Sequence, residues 1–225
     1  MKSLMHYIQE KLVIKRSNKY KYFPQTKDEL KAIIKQRIKD EGNEVDLDDI
    51  DTSNITDMSN LFEETDFNGD ISNWNVSNVK DMGEMFWGCK KFNSNISNWD
   101  VSNVIDMNGI FRGCESFNQD ISYWDVSSVK DMKFMFDRCK SFNQDISNWD
   151  VSNVENMGNM FYKCKSFNQD ISKWDVSNVT DMHSMFDGCL KFNQNISTWN
   201  VSKVKYYYLA FSNCGIQQKY KPKFK

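Results

Sequence analysis

The sequence predicts an α/β repeat solenoid in which each 25-residue coil supplies one short strand and one short helix, behind an N-terminal capping helix. Three observations support this. Tryptophan falls at Trp74, Trp99, Trp124, Trp149, Trp174 and Trp199, always 25 residues apart. The other apolar columns keep that step, and one copy displays them as Phe142, Ile146, Trp149, Val151, Val154, Met157, Met160, Phe161 and Cys164. A fixed period of this length marks an array. Within each copy the apolar spacing also changes. Ile146, Trp149 and Val151 end in the alternation of a half-buried strand. From Val154 the spacing places Met157, Met160, Phe161 and Cys164 on one side of a helical or 3₁₀ turn. Neither half can bury its apolar face alone, so the coils must stack, about seven of them.

Each element follows in order. Residues 1–25 have short apolar runs, none long enough to span a bilayer. They show neither a continuous apolar h-region nor a small-residue cleavage site, so no export is expected and the chain is placed in the cytoplasm. Residues 1–42 form the N-terminal cap. Within it, 26–42 predicts a helix: Thr26 and Glu29 make a capping box, and Gly42 supplies the stop. Leu30, Ile33, Ile34 and Ile38 form a stripe that can cover the open end of the first coil. Residues 43–216 are the array, with a degenerate first coil (DLDDIDTSNITDMSNLFEETD) before six regular ones. Residues 217–225 form a basic tail.

The segment I-S-x-W-D-V-S-x-V resembles the strand signature of leucine-rich repeats, and V-x-x-M-x-x-M-F-x-x-C-x-x-F is similar to the second half of BspA-like bacterial surface-antigen repeats. The whole copy, FNQDISNWDVSNV with a following D-M-x-x-M-F-x-x-C, resembles the 25-residue repeat of mycoplasma lipoproteins. This resemblance spans residues 46–216. It implies a leucine-rich-repeat-like solenoid that binds macromolecules, and it brings no catalytic residue, metal or cofactor. Thr65 stands where later copies have cysteine, and Tyr207 and Ala210 replace the methionines of the last copy. Such departures belong at caps.

Cys89, Cys114, Cys139, Cys164, Cys189 and Cys214 form a column in the apolar pattern, which favours buried free thiols over disulfides. No C-x-x-C pair offers a metal site. His183 shares its column with Gly83, Asn108, Lys133 and Gly158 and is taken as an exposed substitution. Asparagines 68, 93, 118, 143, 168 and 193 predict a ladder serving backbone groups. Two aspartate columns, one through Asp125 and one through Asp131, predict roles in turns and at helix starts.

Net charge is −2, but residues 1–42 carry +6 and residues 217–225 add +4, which leaves −12 on residues 43–216. Such acidity excludes direct nucleic-acid binding by the repeats and favours a protein partner, in particular a basic nucleic-acid-binding one. The acidity would equally keep the array soluble. Candidate contacts lie in columns that packing leaves free: Trp87, Arg112, Asp137 and Tyr162 just after the M-F pair, Phe134 two residues after the first methionine, and Tyr123 before a tryptophan. Drift at solvated positions would give the same variation. No nucleophile–base pair or phosphate-cradling glycine loop is present, so the chain is not expected to be an enzyme. Three readings stay open. One is a scaffold that binds a protein partner. Another is an intracellular inhibitor of phage or mobile-element origin that fills the basic channel of a nuclease or CRISPR effector. The last is a surface antigen or adhesin.

Overall fold

The backbone amides of the array alternate in direction, and this alternation sets the architecture of residues 19–224, which the computed structural model describes. The N–H groups of Met82, Glu84, Phe86 and Gly88 donate to the carbonyls of Asp106, Asn108, Ile110 and Arg112 in the next coil, over 2.7–3.0 Å. Those of Met85, Trp87 and Cys89 instead turn back three residues, to Met82, Glu84 and Phe86. Met132, Phe134, Phe136 and Arg138 repeat the pattern toward Asn156, Gly158, Met160 and Tyr162. Alternation of this kind places a left-handed residue at every fourth position: Glu84 and Gly88, Phe134 and Arg138, Asn159 and Lys163.

Equivalent residues of successive coils therefore lie side by side. Parallel bridges run Asp57 to Asp81, Asp106, Asp131, Asn156, Asp181 and Tyr206. The extended pairing thus falls at the start of the M-x-x-M-F segment, where Lys130 also donates to Ile105 and Glu155 to Lys130. Residues 146–151, where the sequence places a strand, close by turns: Trp149 donates to Ile146, and Val154 to Val151. Nor does residue 154 onward form a helix, since no α-helix lies within residues 43–216. A two-turn helix would spend its N–H groups internally and is marginal by itself. The observed turns bury the same side chains and free four N–H groups per coil for the neighbour.

Stacked side chains fill the interior. Phe111 lies 4.0 Å from Phe117 within its coil and 5.8 Å from Phe136 in the next, centroid to centroid. Trp99 and Trp124 are nearly parallel, at 2° and 6.5 Å. Each indole N–H of the 25-residue tryptophan column finds a carbonyl one coil back: Trp124 donates to Ile96 and Trp149 to Ile121, both at 3.1 Å. A buried indole needs such a partner.

Helix α1 (Lys27–Glu41) closes the first coil, with Thr26 as N-cap and Gly42 as C-cap. Leu30 and Ile34 are buried, and Ile33 and Ile38 pack against the core. Polar ties fix its position: Lys27 reaches Asp57 and Ser59, Lys31 the Asn60 carbonyl, and Arg37 both Glu41 and Asp49. The rest of the expected cap, residues 1–18, lies outside the described residues, as does Lys225 of the tail.

Trp124→Ala removes a stacked, hydrogen-bonded ring from mid-array and is expected to cost about 3–5 kcal/mol. Urea denaturation measures it, and a loss below about 1 kcal/mol would contradict this packing.

Candidate functional site

Three columns of Asx turns hold each coil in shape. In the coil around Trp149, the Oδ1 atoms of Asp145, Asp150 and Asp131 accept from the N–H groups of Ser147, Ser152 and Lys133, at 2.7–3.0 Å. Asparagine does the same work at Asn95, Asn156 and Asn195. The Asp131 column thus caps turns rather than helices, and the Asp145 column is a role the sequence reading missed. Its signal, Asp or Asn two residues before Ser, was present in every regular copy. Backbone donation from Ser147 and Ser172 holds the Asp145 and Asp170 carboxyls below their ordinary range. Burial, then neighbouring Asp81, Asp131 and Glu84, pushes Asp106 up. Asp46, Asp48 and Asp70 bring carboxylate oxygens within 4.8 Å of one another, yet each is engaged in a local turn or with Asn73.

The asparagine side-chain carbonyls form the expected ladder: Asn118 accepts from the Asn143 N–H and Asn143 from Asn168, at 2.8–2.9 Å. All six cysteines are free, and five are buried. The thiols of Cys89 to Cys189 each donate to a phenylalanine carbonyl in the preceding coil, at 2.7–3.1 Å. Burial pushes the Cys89 thiol up to about 11 and raises the next four well above the ordinary thiol value. Thr65, in the place of the missing first cysteine, instead donates to the Phe62 carbonyl of its own coil.

The candidate contacts occupy one stripe, but not as freely exposed residues. Trp87, Arg112, Phe134 and Tyr162 are half-buried. The Arg112 guanidinium lies over both Trp87, at 5.4 Å, and Phe134, at 4.6 Å. Tyr162 sits between Arg138 and Lys163, at 5.8 and 4.8 Å. Asp137 is a correction: it is only 3% exposed and serves as the internal counter-ion of Arg112, at 3.2 Å. Burial raises its carboxyl against the pull of Arg138 and Arg112. Tyr123 stands apart and is 88% exposed. His183 is another correction, half-buried with Nδ1 2.7 Å from Asp181 and Nε2 against the Asn159 amide. The sequence reading also missed Tyr206, Tyr208 and Leu209, exposed on the last coil.

A family model described as "Mycoplasma protein of unknown function, DUF285" matches the chain twice, over residues 29–147 and 119–222. The matches overlap, as interchangeable copies allow. Comparison with curated proteins gave no match.

Intact-mass measurement is expected to show six reduced thiols, with Cys114, Cys139 and Cys164 alkylated only after unfolding. Rapid labelling of the folded protein would contradict their burial. For the turn carboxylates, replacing Asp120, Asp145 and Asp170 by asparagine keeps each Oδ1 acceptor. Their lowered folded values give stability that is present above about pH 4 and lost as pH falls through those values. Asp106 and Asp137, being raised, act oppositely and are common to both proteins. The triple variant should therefore be less stable than wild type near pH 7 and lose less stability between about pH 5 and 3, so that the two converge, followed by urea midpoints. Equal slopes would contradict the assignment.

Proposed function

The chain belongs to the DUF285 family of Mycoplasma proteins, and from its surface chemistry we propose that it is a non-enzymatic scaffold that binds a protein partner through the stripe of Trp87, Arg112, Phe134 and Tyr162. The stacked coils are read as a leucine-rich-repeat-like solenoid of the BspA kind, supported by the 25-residue bridge spacing and the motif resemblance. Free thiols suit a reducing compartment. No helix among the described residues is long and apolar enough to cross a membrane.

One observation carries the proposal. Phe134 adopts φ 58°, a left-handed conformation that glycine takes without strain and that bulky residues rarely adopt. Gly109 fills the same position one coil earlier at φ 60°. A left-handed non-glycine residue costs about 1–2 kcal/mol. Phe134 repays little of this internally, because its ring is only half-buried and its visible contacts are cationic. Strain of this kind at a surface, beside a tryptophan, a tyrosine and two arginines, suits a binding anchor.

Phe134→Gly should leave the melting temperature unchanged or raise it, because relief of strain offsets a lost cation–π contact of about 0.5–1 kcal/mol. The Trp87→Ala/Tyr162→Ala double variant should melt only slightly lower. Affinity capture with nuclease treatment identifies a partner, and titration of that purified partner tests the stripe. Each variant should weaken binding by at least about 2 kcal/mol. Normal binding by both would remove the stripe from the interface. Should charge reversal of Asp125, Asp150 and Asp175 alone abolish binding, the inhibitor reading takes its place.

A further inference from the structure

Each coil hands its outward N–H groups to the following coil, and in the last regular coil three of them meet no acceptor among the described residues. Ser184, Phe186 and Gly188 donate to Tyr208, Ala210 and Ser212. Leu209, Phe211 and Asn213 hold the same three donor columns one coil later, and no acceptor meets their N–H groups among the described residues. Two of the three, Leu209 and Asn213, keep the left-handed backbone that aims these donors outward, at φ 56° and 48°.

The tail closes a different part of this end. Tyr220 accepts from the Ile196 N–H, Asn193 Oδ1 accepts from Gln217, and the Phe224 ring stacks 4.5 Å from Tyr207. The donor edge stays open, with Tyr206, Tyr208 and Leu209 exposed beside it. Lysines predominate around it, and a carboxylate at the edge, Asp187, is held by the Asn213 side-chain amide at 3.3 Å. Residues 201–225 contain six lysines and no Asp or Glu. Lys205 lines a groove of about 600 Å³ with Tyr206, Tyr207 and Tyr208, where the one carboxylate, Asp181, is bonded to His183. Lys219, Lys221 and Lys223 line a second groove with Phe211 and Phe224. None of these four lysines pairs with a carboxylate among the described residues.

We propose that this end is a docking edge for an extended acidic segment of a partner protein, whose alternate backbone carbonyls accept from Leu209, Phe211 and Asn213 and whose carboxylates meet the unpaired lysines. Main-chain pairing of this kind is strand addition to an open edge. One coil earlier the same donor columns are met by carbonyls at every second residue, Tyr208, Ala210 and Ser212, which shows the register a partner segment would follow. A second copy of this chain does not fit: its first coil lies under α1, and two C-terminal ends would oppose donor to donor and lysine to lysine. The edge is separate from the stripe around Phe134, so either surface can fail without the other.

The test uses fluorescein-labelled octapeptides of alternating threonine and glutamate or threonine and lysine, with a thymidine octamer as competitor. The glutamate peptide should bind at least about tenfold more tightly than the lysine peptide. Binding should slow amide exchange of Leu209, Phe211 and Asn213 at least about tenfold. Lys205→Glu/Lys223→Glu should weaken it at least about tenfold at unchanged melting temperature, whereas Phe134→Gly should leave it unchanged. The proposal is overturned by equal binding of the two peptides, by binding without slowed exchange, by loss of binding in Phe134→Gly, or by binding of the oligonucleotide alone.

Discussion

Every coil must deliver four N–H groups to the next at matching positions, and the rest of the structure depends on that transfer. It ties the repeat length to 25 residues, because a coil of another length would present its carbonyls out of register. The first coil shows what a deviation requires. Its Asn43–Leu47 stretch is one residue longer than the Asn68–Ile71 stretch above it, and the Val45 carbonyl is pushed against the neighbouring chain. A Cβ at position 69 would lie 1.9 Å from that oxygen, so glycine stands there while later coils carry Ser94 and Gln119. Transfer also requires left-handed residues, since chain direction must reverse between one outward amide and the next.

Fixed register stacks like upon like, with unequal consequences for different side chains. Aromatic rings gain, because each finds an identical partner in parallel orientation and each indole a carbonyl at the same offset. Thiols gain a carbonyl acceptor in the same way. Carboxylates lose, as burial first and then the like charges of the Asp81 to Asp131 column raise Asp106. Asn156 interrupts that column, keeps the turn through its own Oδ1, and donates its amide to Asp131. The alternation of Asp and Asn thus resolves a conflict between a turn that needs an oxygen and a stack that disfavours repeated charge.

The 25-residue step, the buried columns and the α1 cap were legible in the sequence because burial and capping leave their mark on residue type. The secondary structure inside a coil was not. Reverse turns with three-residue hydrogen bonds place Met157, Met160 and Phe161 inward as a helix would, so apolar spacing alone cannot separate the two. Left-handed positions were half legible: Gly88, Gly113 and Gly188 mark one column, but Phe134, Arg138 and Lys163 give no such sign. Asp137 was misread as exposed because its column holds Trp87, Arg112, Tyr162 and Asp187, a set that looks like free surface. Only stacking on Arg112 one coil below determines its burial. Similarly, Tyr206 and Tyr208 are exposed because no coil follows them in the described chain, whereas the copies themselves look alike.

Backbone transfer and the buried columns together fix the scaffold, so a turn residue such as 84, 109 or 134 is limited mainly by its own conformation. Glycine is the least strained choice at such a position. The coil between Lys130 and Glu155 departs furthest from it, with a phenylalanine and an arginine in its two left-handed places and a buried aspartate between them. These three do not act singly. Asp137 holds Arg112, Arg112 covers Phe134 and Trp87, and Arg138 reaches Tyr162. Other coils also hold left-handed non-glycine residues, such as Asn159 and Lys163, but an aromatic ring takes such a place mid-array, where neighbours on both sides hold the backbone. A rigid stack can sustain such a cluster because the energy that enforces its geometry comes from the aromatic core beneath it.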